Sequence, residues 1–236
     1  MRCALIISYN GTSYLGSQTQ TETSNTILGN LEKVLKKLGI NFRVVASGRT
    51  DKGVHATGQV CHIDLPPFWH DLTKLKRVLN EMLPSSIHVK NIKEVSDEFH
   101  ARYSAKKRVY RYIMKQSLSN PFEDEFITFD TAANFELLKK NIPLFVGEHD
   151  FANFMKTGSD SKSSTRIIYR AFAYKYNGYI ILSFEANGFL RSQIRLMVGA
   201  LLQLNAVQIQ EQLSCTQKHK IRPAKSNGLY LSKIKY

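Results

Sequence analysis

Apolar positions along the chain follow two rhythms. Short runs, continuously apolar or alternating with polar residues, predict strands at Cys3–Tyr9, Phe42–Ala46, Gln59–Asp64, Ile87–Val95, Arg108–Lys115, Thr165–Tyr176, Tyr179–Glu185 and Leu229–Ile234. A spacing of three to four residues predicts helices. The first carries Ile27, Leu28, Leu31, Val34, Leu35 and Leu38 on one face, with Gly39 as its stop. The second runs from Leu72 to Met82 and is closed by Pro84, and a third covers Asn134–Lys140. The fourth, Arg191–Leu204, gathers Ile194, Met197, Val198, Leu201 and Leu202 on one side.

Strands and helices therefore alternate through both halves, which predicts an α/β or α+β protein with helix-covered sheets. The opening order β-α-β-β-α-β matches the ferredoxin-like unit. The polar stretch Ser96–Ala105 serves as the joint to a second half, giving halves of 1–103 and 104–236. Asn10-Gly11 and Asn177-Gly178 both read as hairpin turns, and Ser159–Thr165 reads as a polar loop.

Composition narrows the picture. With 43% hydrophobic residues the chain can build a core, so wholesale disorder is excluded. No apolar run approaches the roughly 18 residues of a membrane span, and the first residues read as a strand rather than a signal peptide. A cytoplasmic protein with no membrane partner is expected. Cys3, Cys61 and Cys215 lie far apart, giving neither a disulfide framework nor a C-x-x-C knuckle. Cys61 and His62 are strand neighbours that point to opposite faces, so no metal site is expected.

Charge adds a partner. Lys and Arg number 33 against 19 Asp and Glu, a formal surplus of +14. That surplus favours a polyanion through attraction and counterion release, although a merely basic surface would show it too. The aromatics tilt the balance toward the polyanion. There are 11 Tyr and 13 Phe, and Lys107-Arg108-Val109-Tyr110-Arg111-Tyr112 interleaves rings with cations as exposed RNA requires.

One segment carries candidate chemistry. Ala46-Ser47-Gly48-Arg49-Thr50-Asp51-Lys52-Gly53-Val54-His55-Ala56-Thr57-Gly58-Gln59-Val60 sets a carboxylate between cations in a glycine-rich loop. Loops on rigid scaffolds gather function, and Asp51 equally suits an Asx-turn beside glycines. Neither a P-loop nor a dinucleotide fingerprint is present.

The run Gly48-Arg49-Thr50-Asp51-Lys52-Gly53-Val54-His55 resembles the active-site motif of TruA-type tRNA pseudouridine synthases, G-R-T-D-A-G-V-H. Asp97-Glu98-Phe99-His100-Ala101-Arg102-Tyr103-Ser104-Ala105 is similar to the family's D-D-F-H-A-R-F-S-A, and Tyr110-Arg111-Tyr112 to its Y-R-Y. Gly147-Glu148-His149-Asp150-Phe151, Asn187-Gly188-Phe189-Leu190 with Arg195-Leu196-Met197-Val198-Gly199, and Gly228-Leu229-Tyr230-Leu231 resemble further family motifs in family order. Three positions depart. Ser17 stands where the family's G-W-Q has Trp, Lys52 stands for Ala, and Met197 follows Arg195 rather than preceding it.

The resemblance implies the pseudouridine-synthase fold: two ferredoxin-like halves with mixed or antiparallel sheets, flanked by helices around a basic cleft. It implies isomerisation of uridine in the anticodon arm of tRNA, at nucleotides 38–40, by a homodimer without metal or cofactor. Asp51 is the implied catalytic residue, attacking C1′ or stabilising oxocarbenium character there, with attack on the base left open. Arg49 is implied to meet RNA or turn out the target base. Arg195 is implied to pair with Asp51, and Tyr110 to stack on the uracil and help move the C5 proton. Leu190 and Phe189 are implied pocket walls, with Val54 covering the loop. Lys106, Lys107, Arg108 and Arg111 are candidate phosphate contacts. His55, His100 and Arg102 stand between function and packing. The rival from another class is a non-catalytic RNA-binding module, which explains the charge and the tyrosines but gives no reason for Asp51 among cations.

Overall fold

The structure, a computed structural model, describes residues 1–156, 158 and 163–236. The loop read at Ser159–Thr165 falls partly outside them, at 159–162. The chain forms two compact units. The first comprises Met1–Lys106 and Leu231–Tyr236, the second Lys107–Tyr230. The last six residues thus join the first unit instead of the second half, which corrects the boundary expected from sequence. They do so because a strand of the first unit needs a neighbour.

The first unit runs β1 (Arg2–Tyr9), α1 (Ile27–Lys37), β2 (Val45–Ala46), β3 (His55–Asp64), α2 (Leu72–Met82) and β4 (Ile87–Glu94). β1 is central and antiparallel to both neighbours, with Leu5 opposite Cys61 on β3 and Ile92 on β4. β2 covers β3 for only two residues, Val45 and Ala46 opposite His62 and Cys61. The strand predicted at Phe42–Ala46 shortens because Val44 donates its N–H to the Glu32 carboxylate at 3.2 Å instead of to a ladder. Residues returning from the chain end pass beside β3, where Thr57 Oγ1 donates to Ser232 O at 3.4 Å. Local chemistry sets the helices. Thr26 caps α1 by accepting from Gly29 N, and Asp71 caps α2 by accepting from Lys74 N. Ile27, Leu28, Leu31, Val34 and Leu35 are buried, as the stripe predicts.

The second unit contains β5 (Lys107–Lys115), β6 (Thr128–Phe129), α3 (Phe135–Asn141), β7 (Gly147–Asp150), β8 (Thr165–Tyr176), β9 (Tyr179–Ala186), α4 (Gln193–Gln203) and α5 (Ala206–Leu213). The final strand, β10 (Leu229–Lys235), begins in this unit and ends in the first. The order is β5-β9-β8-β7, antiparallel throughout, with β6 parallel to β5. Ile113 N donates to Gly228 O at 2.8 Å, so the chain entering β10 lies beside β5. The β5, β8 and β9 strands with that entry give the ferredoxin-like order, and β7 is an added edge. Asn177 (φ 48°) and Gly178 (φ 81°) form the tight β8–β9 hairpin. Asn10-Gly11 does not form one: β1 pairs with β3 and β4, and Asn10 Oδ1 accepts from Thr12 N in an Asx turn.

Candidate active site

Asp51 lies on the loop between β2 and β3, half-buried, with Arg49 and Lys52 exposed on either side. The loop is held at both ends by buried polar groups. On one side Ser47 Oγ donates to Gln59 Oε1 at 2.6 Å, and Gln59 Nε2 donates to Gly48 O at 2.8 Å. Both side chains are essentially inaccessible to solvent. On the other side Thr50, next to Asp51, exchanges two hydrogen bonds with Ser17. Thr50 N donates to Ser17 Oγ at 2.8 Å, and Ser17 N donates to Thr50 O at 3.0 Å. Thr50 Oγ1 also shares a 2.8 Å bond with the Tyr9 hydroxyl. Val54 N closes the turn onto Asp51 O at 3.1 Å.

The floor beneath the loop is the segment from Tyr9 to Ser17. A Cβ on Gly11 would stand 2.0 Å from Val54 O, so only glycine admits this approach. Gly11 N donates to His55 Nδ1 at 3.1 Å, which makes the buried His55 ring a brace between loop and floor. Ser17, at the position of the family Trp, therefore replaces a large ring with a hydroxyl that fixes the backbone beside Asp51. Of this floor, the sequence showed only the glycine pair and the altered G-W-Q segment. Tyr9, Ser47 and Gln59 gave no signal apart from strand or loop.

Several expected residues belong to the second unit. Tyr110 is buried on β5, its ring edge-on to Phe189 at 5.3 Å. Leu190 is buried in the turn before α4, where its N–H donates to Gln193 Oε1 at 2.7 Å and its carbonyl accepts from Gln193 N at 3.1 Å. Arg195 is half-buried on α4. Its Nε donates to Ala224 O at 2.7 Å, and Ala224 N donates to Arg195 O at 2.8 Å. This two-way link turns the guanidinium to one side, unlike a solvated helix-face cation. It depends on Gly199, whose Cβ would stand 2.3 Å from Arg222 O. Burial pushes the pKa of the Tyr112 hydroxyl up to about 12, opposed first by its hydrogen bond with Thr128 and then by the Arg195 charge.

The expected phosphate contacts divide. Lys106 and Arg111 are exposed. Lys107 is half-buried, with its ammonium 3.4 Å from Glu185 and over the Tyr169 ring at 4.4 Å. Arg108 is half-buried and donates to Asn187 O at 2.8 Å. Burial, and then the nearby Arg108 charge, lower the pKa of Arg166. His100 lies away from the Asp51 loop, its Nδ1 accepting from Arg102 N and Tyr103 N.

Comparison with known proteins now gives the class. The model of the family described as tRNA pseudouridine synthase matches residues 5–104 and 142–236. The chain belongs to the tRNA pseudouridine synthase family, isomerases that convert uridine to pseudouridine. Among its relatives is tRNA pseudouridine synthase A of Campylobacter jejuni (strain RM1221), 36% identical over 241 residues and covering 100% of both chains. The protein of that name from Wolinella succinogenes is 36% identical, covering 98% of this chain and 92% of its own. That from Leuconostoc mesenteroides subsp. mesenteroides is 35% identical, covering 100% and 99%. Tyr110 and the cations from Lys106 to Arg111 fall between the two matched spans.

Proposed function

We propose that this tRNA pseudouridine synthase uses Asp51 as its catalytic carboxylate and acts on uridines 38–40 of the anticodon arm, as a cytoplasmic homodimer. The observation that carries the choice of Asp51 is the loop itself. The half-buried carboxylate stands between exposed Arg49 and Lys52 on a loop whose backbone is tied by buried hydrogen bonds among Ser17, Thr50, Ser47, Gly48 and Gln59. Rigid loops of this kind hold a reacting group within the narrow geometry that catalysis requires.

The reaction breaks the N1–C1′ bond, turns the uracil and joins C5 to C1′, and the C5 hydrogen leaves as a proton while N1 gains one. Atoms and electrons balance without an oxidant or reductant. The carboxylate either attacks C1′ or stabilises positive charge there while a C2′ proton departs. Arg49, exposed beside the carboxylate, meets RNA. Tyr110, Leu190 and Arg195 are assigned to the same reaction by the family's motifs: Tyr110 against the uracil, Leu190 as pocket wall and Arg195 as the counter-charge of Asp51. Of the basic run, Lys106 and Arg111 have the exposure that phosphate contact requires.

Mapping of pseudouridine on purified tRNA incubated with the protein alone tests the assignment. The expected outcome is new pseudouridine confined to nucleotides 38–40. Modification elsewhere in the molecule would reassign the substrate position.

A further inference from the structure

A chain of aromatic rings leads through the first unit to its surface. Tyr236 packs on Phe99 at 4.8 Å between centroids, and Phe99 meets the edge of His62 at 6.3 Å. His62 meets His100 at 4.9 Å, and His100 stacks on Tyr103 at 4.3 Å with planes only 29° apart. Phe99, His62 and His100 are buried or half-buried, whereas the two end rings are exposed, Tyr236 at 40% and Tyr103 at 78%. The Arg102 guanidinium lies 5.8 Å from the centroid of that last ring.

The segment is rigid at its base. Ala101 N donates to His62 Nδ1 at 3.1 Å, and Tyr236 Oη donates to Ala101 O at 2.8 Å. Arg102 N and Tyr103 N both donate to His100 Nδ1 at 3.2 Å, so the neutral imidazole carries its proton on Nε2. Ser104 and His100 exchange two further bonds, at 3.0 and 2.9 Å. With its backbone tied to the imidazole on which its ring stacks, Tyr103 has less freedom to lose when a partner stacks on it.

We infer that Tyr103, with Arg102 beside it, is a stacking platform for an unpaired base of the tRNA, with Arg102 set against an adjoining phosphate. The partner follows from chemistry. The ladder ends in an open aromatic face next to a cation, on a chain with a surplus of +14 that acts on RNA. A nucleotide offers the π-face and the negative charge that this pair complements. The platform is distant from the Asp51 end of the loop: Asp51 O accepts from Val54 N beside His55, whereas His62, opposite the β2 end, lies seven residues along β3 from His55, about 23 Å at ~3.3 Å per residue. Its nucleotide is therefore remote from the target uridine, and its effect falls on binding rather than on chemistry. The inference rests on tRNA as the substrate and not on the role of Asp51.

The test measures full-length tRNA binding across a salt series, together with the single-turnover rate at saturating tRNA. Tyr103→Ala should bind about tenfold more weakly with an unchanged salt slope and an unchanged saturated rate. Tyr103→Phe should bind as wild type, whereas Tyr103→Leu, apolar but without a π-face, should bind as weakly as Tyr103→Ala. Arg102→Gln should reduce the log–log salt slope by about 1. Wild-type affinity in Tyr103→Ala, or full affinity in Tyr103→Leu, would overturn the platform. A lost rate in Asp51→Asn with a silent Tyr103→Ala would sink the platform alone. A silent Asp51→Asn with weakened Tyr103→Ala would sink the catalytic assignment alone.

Discussion

Ser17 shows how one side chain can set the position of another. Its hydroxyl is the acceptor for the Thr50 N–H, and both groups are buried. Ser17→Ala leaves that donor without its partner at a site where water cannot replace it, a destabilisation of about 1–3 kcal/mol. Part of it is felt next door, because Thr50 fixes the backbone that carries Asp51. The expected outcome is a lower single-turnover rate with little change in tRNA affinity, measured alongside the melting temperature. A variant with wild-type rate would show that the loop is held without this bond. The sequence disclosed Ser17 only as a missing Trp. Nothing in a serine's neighbours says that its oxygen faces a backbone N–H from 33 positions away. The same holds for Gln59, read as the first residue of a strand, whose amide in fact ties Ser47 and Gly48 together. Asp51 is singled out because charge, glycines and family motif coincide in one short stretch.

Elements were legible where periodicity was long. Leu72–Met82 and Thr165–Tyr176 have the predicted bounds, and α1 and α4 differ by a residue or two at their caps. Asn134, read as the first residue of the third helix, is its N-cap, accepting from Leu137 N. The chain gave no rhythm for α5, eight residues with an exposed Val207, or for β7, a Gly-Glu-His-Asp edge. β3 begins at His55, four residues before its predicted start, because His55, Thr57 and Gly58 hide its alternation. His62 on that strand gives the fold a pH dependence. Its pKa is lowered by burial first, then by the neighbouring His100 and by Arg2. Between that lowered value and the ordinary ~6.5, the unfolded chain binds a proton that the folded chain refuses, so stability rises with pH. The contribution is complete above ~6.5 and is lost as the pH falls below it. His62→Asn keeps an acceptor for Ala101 N without titrating. Urea midpoints measured from neutral to mildly acidic pH should fall less steeply for this variant than for wild type. Parallel curves would place the acid sensitivity elsewhere.

At the scale of the molecule, the chain forms two ferredoxin-like units, and the surplus of +14 suits a polyanionic substrate. Long-range attraction of this kind brings tRNA to the protein but does not choose which bond breaks. That division separates binding from chemistry and gives the most direct test of Asp51. Asp51→Asn keeps the size and hydrogen-bonding capacity of the side chain while removing its charge and nucleophilicity. The deciding measurement is single-turnover formation of pseudouridine in tRNA by Asp51→Asn, with tRNA affinity determined on the same preparation. The account predicts no detectable pseudouridine, with tRNA bound about as tightly as by wild type, since an interaction needed only in the transition state leaves ground-state binding intact. Pseudouridine formed within about tenfold of the wild-type rate would contradict it and place the chemistry on another residue.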